Sequence, residues 1–177
     1  MELIIAMFIL TVAVSAMLSL YVSTATSMQR AGQKGTALAL AEKQMETYRT
    51  VPFAGIRLDS TQIPTGSDPY VTAHASDATI PSSSGQAAFD PSSQVANYYV
   101  ACSSLPVAAC QPVQTVTGPD HRSYRIDTYI EYVSADTTFS HVAPASGLAL
   151  KRVTVIVRDA NSTSILARAS STFVSSS

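Results

Sequence analysis

Residues 3–22, LIIAMFILTVAVSAMLSLYV, form an apolar run of 20 positions interrupted only by Thr11, Ser15 and Ser19. As an α-helix this run rises about 30 Å, the thickness of a bilayer's hydrocarbon core. Hydroxyls are tolerated in such a helix because each can bond back to a carbonyl of the preceding turn. No charge lies between Glu2 and Arg30, and 18 of the first 22 residues are hydrophobic. Three readings compete: a cleaved secretory signal, a membrane-spanning helix and a buried core helix. A secretory signal wants a positive charge ahead of its apolar run, and only Glu2 stands there, although Ser23-Thr24-Ala25 has a cleavage site's small residues. A core helix of a small domain would not need to be apolar all the way round. The spanning helix is favoured, with Leu3, Ile4, Ile5, Met7, Phe8, Ile9, Leu10, Val12, Met17, Leu18 and Leu20 set against lipid or other copies. An ionised Glu2 at the hydrocarbon edge costs several kcal/mol unless it is paired or reaches the interface. It is expected either to rest among headgroups or to meet a positive partner when helices pack.

The helical pattern continues beyond the apolar run. No proline occurs before Pro52, and residues 37–49, ALALAEKQMETYR, are nearly all strong helix formers. Leu38, Ala41, Met45 and Tyr48 fall on one apolar stripe, and Lys34, Glu42, Lys43, Glu46 and Arg49 on the polar side. Gly32 and Gly35 are weak points, each costing about 1 kcal/mol relative to Ala. Pro52 disfavours helix at Val51 and stops it. The expectation is one helix from about Glu2 to about Val51, roughly 75 Å long.

Residues 53–94 read as a variable loop region rich in Ser, Asp, Pro and Gly turn signals, with short strands near 70–72 and 87–89. Strands are expected at 97–101 (NYYVA), 123–133 (SYRIDTYIEYV), 148–158 and 165–174, the last pair joined by a hairpin loop over 159–163. In the second of these, Tyr124, Ile126, Thr128, Ile130 and Tyr132 share one face. Arg125, Asp127, Tyr129 and Glu131 share the other, as in a half-solvated antiparallel strand. The fold class is α+β: an antiparallel sheet of about four strands carries the C-terminal half of the long helix. Val153, Val155, Val157, Ile126 and Ile130 should meet Leu38, Met45 and Tyr48.

Charged residues are only 13% of the 177, and the formal net charge of −1 argues against a phosphate-neutralising nucleic-acid surface. His74, His121 and His141 are scattered, and Asp120-His121 is the one acid–histidine neighbour pair. No nucleophile elbow, P-loop or dinucleotide fingerprint occurs. Asp59, Asp68, Asp77 and Asp90 match no calcium-loop spacing and read as turn formers. No catalytic residue, metal or cofactor is expected.

The segment Glu2-Leu3-Ile4-Ile5-Ala6-Met7-Phe8-Ile9-Leu10 resembles the N-terminal core of the type IV pilin superfamily, in which one Glu heads a hydrophobic helix. The Ala-Met step, the later Ala41–Arg49 stretch and the Val51-Pro52-Phe53 exit resemble PilV-like minor pilins and the minor pseudopilins of type II secretion. The likeness covers residues 1 to about 57. It implies a pilin-like architecture: a transmembrane and filament-core half-helix (1–25), an amphipathic half (26–52), the variable loop (53–94) and a sheet domain (95–177). It implies a single-pass protein of the inner (cytoplasmic) membrane with its C-terminal domain outside the cytoplasm, moving into a filament on assembly. Its partners would be other pilin or pseudopilin subunits, an inner-membrane assembly platform, membrane lipid and, given an upstream leader, prepilin peptidase. Glu2 would pair with a neighbour's N-terminus. The family's leader ends in Gly a few residues before the Glu, whereas Met1 directly precedes Glu2, so the cleavage site and methylated amine map to no residue here. The helix proline common in major pilins is also missing, which suits a minor subunit. Outside the cytoplasm Cys102 and Cys110, the only two cysteines, would close a small disulfide loop; the other reading is two buried thiols. A different class of function competes with all this, namely an anchored extracytoplasmic binding module that never enters a filament.

Overall fold

Glu2–Thr50 is one unbroken α-helix, α1, in the computed structural model of the chain. The structure describes residues 2–59, 96–97, 109–133, 150–161 and 164–174. Proline ends the helix as its chemistry demands: Pro52 adopts an extended conformation (ψ 150°), and the chain then tightens into a 3₁₀ turn, Phe53–Gly55. The Gly55 N–H donates to the Pro52 carbonyl at 2.7 Å, closing that turn.

Two compact units divide the chain, Met1–Gly35 and Thr36–Ser177. In the second unit the last four turns of α1 pack on a sheet. Two short strands, β1 (Leu58–Asp59) and β2 (Ala96–Asn97), pair in parallel. The main sheet holds β3 (Val113–Thr117), β4 (Ser123–Val133), β5 (Leu150–Asp159) and β6 (Ile165–Phe173), antiparallel throughout and in that spatial order. A long helix packed on a four-stranded antiparallel sheet is therefore the fold. Of the strand expected at 97–101 only Asn97 is described, paired with β1 outside the main sheet; 98–101 lie outside the described residues. One strand of the main sheet, Val113–Thr117, bounded by Pro112 and Gly118, was not expected. The expected strands at 70–72 and 87–89 lie outside the described residues.

The buried stripe of α1 is Ala37, Ala41, Gln44, Met45 and Tyr48. At about 100° per residue these fall within roughly one hundred degrees of arc. Leu38, expected on that stripe, is instead 47% exposed. At about 100° per residue it falls just outside the buried arc, about 20° beyond Met45, whereas Ala37, one residue earlier and inside the arc, is fully buried. Ile126, Ile130, Val153, Val155 and Val157 join Met45 and Tyr48 in one core, as their spacing predicted.

The opposite sheet face departs from expectation. Asp127, Tyr129 and Glu131 are buried rather than half solvated. Their charges explain how this is possible. Asp127 Oδ1 accepts from Arg125 Nε at 2.7 Å and Oδ2 from Arg158 Nε at 3.0 Å, while Glu131 pairs with Arg152 at 2.8 Å. Alternation marks two chemically different faces; it does not require that the polar face be wet once each buried charge has a partner.

Tyr48 fills the helix–sheet interface with its ring fully buried. Its hydroxyl lies beside Thr128 and Gln44 yet forms no well-aligned hydrogen bond. Burial holds the phenol neutral by raising its pKa well above the ordinary value. Removing the ring and removing the hydroxyl should therefore have opposite consequences. Tyr48→Ala is expected to destabilise by about 3–5 kcal/mol, the usual loss for a large buried aromatic. Tyr48→Phe, which deletes an unsatisfied buried oxygen, should leave the thermal midpoint at or above that of the parent. Because the folded phenol stays neutral while the unfolded one ionises above about pH 10, Tyr48→Phe should also lose less stability at alkaline pH.

Candidate anchoring and assembly surface

The first unit carries the residues that the sequence singled out. Leu3, Ile4, Ile5, Met7, Phe8, Ile9, Leu10, Val12, Met17, Leu18 and Leu20 are all exposed, between 55% and 72%. Its best apolar window has a mean hydropathy of 2.6 with none of it buried. A cylinder about 30 Å long and 10 Å wide presents on the order of 1,000 Å². That exceeds the largest apolar patch on a typical monomer, about 300–600 Å². At about 25 cal/mol per Å² the exposed area represents on the order of 25 kcal/mol of unrealised burial. This single N-terminal helix is long and apolar enough to cross a membrane.

The polar groups inside the run are neutralised by the helix itself. Thr11 Oγ1 donates to the Phe8 carbonyl at 2.8 Å, Ser15 Oγ to Thr11 at 2.8 Å and Ser19 Oγ to Ala16 at 2.8 Å. Thr24, Thr26 and Ser27 do the same one to two turns further on. Each hydroxyl therefore enters an apolar medium already bonded, as back-bonding allows. Glu2 occupies the first turn of α1, where the helix dipole favours an anion. Among the side chains of the first unit the nearest charge of either sign is Arg30, about 42 Å along the helix.

Two features brace α1 in the second unit. At its exit, Lys151 Nζ donates to the Phe53 carbonyl at 2.7 Å and the Ile56 carbonyl at 2.9 Å, with the ammonium 4.6 Å from the Phe53 ring centre. Lys151 is buried. Burial, then the neighbouring Arg57 charge, lowers its pKa to about 8. The second brace is the β3–β4 turn. Tyr124 donates to Asp120 at 2.5 Å, which holds the Asp120 carboxyl below its usual range. Burial and then that bond raise Tyr124 to about 12. A Cβ on Gly118 would lie 2.6 Å from Asp120 Oδ1, 2.7 Å from Tyr124 Cε2 and 3.0 Å from Thr36 Cγ2 on α1. His121, in the same turn, takes the left-handed region at φ 59°. Sequence reasoning passed over both braces. The clue to Lys151 was its place in the alternating set 151, 153, 155, 157, which puts it on the core face.

Of the remaining predicted positions, Ala41, Met45 and Tyr48 are buried and Leu38 is not. Cys110 is buried, and its carbonyl accepts from the Asp59 N–H at 3.0 Å. Cys102, His74, His141, Asp68, Asp77 and Asp90 lie outside the described residues. Among the described residues no three His, Cys, Asp or Glu side chains gather as a metal site would require. No protein-family profile, characterised protein or solved structure gives a significant match to the chain.

Two outcomes check the braces. A lysine with a lowered folded pKa takes up its proton on unfolding between about pH 8 and its ordinary value, so stability contributed there rises with pH. Lys151→Met should lose about 1–3 kcal/mol near neutrality, through two stranded carbonyls, and lose that alkaline gain in melting scans. Gly118→Ala should destabilise by about 1–3 kcal/mol, because the rigid Tyr124 ring and the α1 side chain both stand in the way.

Proposed function

We propose that the chain is a minor pilin or pseudopilin, a non-enzymatic subunit of a type IV pilus or type II secretion-like filament. The observation that supports it best is the division of labour along one helix. Its first half is apolar on every side, with the Thr11, Ser15 and Ser19 hydroxyls of the apolar run self-bonded and one carboxylate at its head. Its second half is amphipathic and packs on an antiparallel sheet. An anchor needs only the first of these properties. A subunit that leaves lipid for a bundle of identical helices also needs the carboxylate, as a charge that is satisfied only in the bundle.

In this reading the helix stores the subunit in the inner membrane with the sheet domain outside the cytoplasm. Assembly exchanges lipid contacts for contacts with neighbouring copies, and Glu2 meets a neighbour's amino terminus. The assembly platform and prepilin peptidase are the implied partners. Cys102 and Cys110 pair as a disulfide in the oxidising compartment.

The competing reading is a membrane-anchored binding module, for which the helix is interchangeable. Glu2→Ala and Glu2→Gln separate the two. Both variants should still resist alkaline extraction from membranes, as an inserted helix does. Both should fail to enter sheared filaments or to support filament-dependent secretion. Full activity of Glu2→Ala, or of a chain whose residues 1–25 are replaced by an unrelated spanning helix, would reject the filament reading in favour of the anchor.

A further inference from the structure

The main sheet ends in two strands, β3 and β6, and among the described residues no further strand pairs with the outer side of either. β6 is nine residues long with Arg168 as its one charge, and β3 is five residues long with none. Neither contains a proline or lysine, the usual protection of an exposed edge. Such edges are templates for another strand.

The topology says which strand fits. Four antiparallel strands in sequence make β3 and β6 run in opposite directions. A second copy displaced sideways without being turned therefore offers its β3 to the first copy's β6 in antiparallel pairing. Every copy keeps one orientation, so the segment of α1 that lies on the sheet runs the same way in each, as one membrane requires. Pairing β6 with β6 by a two-fold axis reverses the second copy, including the segment of α1 that lies on the sheet.

The side chains agree face by face. On the face away from α1, the exposed positions are Thr115 and Thr117 on β3 and Arg168, Ser170 and Thr172 on β6. Hydroxyl pairs of this kind stabilise adjacent strands, and Ser170 already makes one with Thr154 at 3.2 Å. On the helix face, half-buried Val116 of β3 would join half-buried Ala167 and Ala169 of β6. Uncharged β3 places no like charge opposite Arg168.

We propose that copies of this chain associate laterally by heterologous β6-to-β3 strand addition, continuing the sheet from one subunit to the next. Such a contact does not close on itself and so propagates. The inference applies to an anchored module as well as to a filament subunit, so it stands or falls separately from the Glu2 result.

Cysteine cross-linking of the full chain in membranes tests it. Thr115→Cys combined with Arg168→Cys, Ser170→Cys or Thr172→Cys should give, for at least one partner position, a ladder of dimers, trimers and higher species on oxidation. A mixture of the two single variants should stop at dimers, and each single variant alone should stay at the background set by Lys43→Cys with Ser170→Cys. Adding Thr117→Lys and Thr172→Lys to the Thr115/Ser170 pair, or Ser170→Lys to the other pairs, should abolish the ladder with an unchanged melting midpoint. Cross-linking of Ser170→Cys alone would indicate the two-fold arrangement and overturn the proposal. So would the absence of a ladder from all three pairs, or a ladder that persists with the lysines in place.

Discussion

An α-helix that is apolar on every side has no solution within one small chain. Its backbone is satisfied internally, and so are the hydroxyls of Thr11, Ser15 and Ser19, so among Leu3–Leu20 nothing calls for water. What it lacks is apolar cover worth on the order of 25 kcal/mol, more than the whole folding stability of a typical domain. That cover must come from lipid or from other molecules. The remaining design follows from having to hold such a segment. α1 continues into the second unit without a break, changes to a single buried stripe, and is fastened at its exit by Lys151 and beside Thr36 by the Gly118 turn.

The sheet that receives the helix is specified by charge as well as by shape. Asp127 is shared between Arg125 and Arg158 with both Asp127 and Arg158 fully buried. A buried ion pair gives little net stability over a hydrophobic replacement, yet stripping away one partner costs about 3–5 kcal/mol. A slip of β4 against β5 by one residue would place Asp127 on a different neighbour and strand Arg158. Register is thus held by the penalty for error. This matters for a sheet whose helix-facing valines would also turn outward on such a slip.

Much of this was legible in the residues, and the exceptions have physical causes. The helix and its proline stop, β4, β5 and β6, and the valine and isoleucine core all follow from period and length. β3 escaped because VQTVT is short and mixes polar and apolar residues, while the aromatic NYYVA looked more strand-like. Leu38 shows a second limit: spacing places it within about 20° of Met45, but where the edge of the buried arc falls is set by the sheet and not by the period. The polar face of β4 shows a third. Asp127 and Glu131 alternate as solvent-facing residues do, and only their three-dimensional partners, Arg158 and Arg152, reveal that they are buried. The exposed apolar half of α1 was the most legible part, since a helix that must be covered from outside announces itself by composition alone.

Apolar area cannot by itself distinguish lipid from protein as the final cover, because both satisfy it about equally. A charge can. In lipid, Glu2 gains most where headgroups and water reach it, which pins the depth of the helix. In a bundle the same carboxylate is dehydrated, and its energy turns on whether a positive group stands within hydrogen-bonding reach. No cationic side chain of the first unit stands near it, for Arg30 lies about 42 Å away along the helix. On the filament reading proposed above, a position that is tolerable at the membrane edge and costly in an unpartnered bundle acts as a condition on assembly. In that reading the apolar run supplies adhesion without direction, and the one carboxylate supplies the register that adhesion lacks.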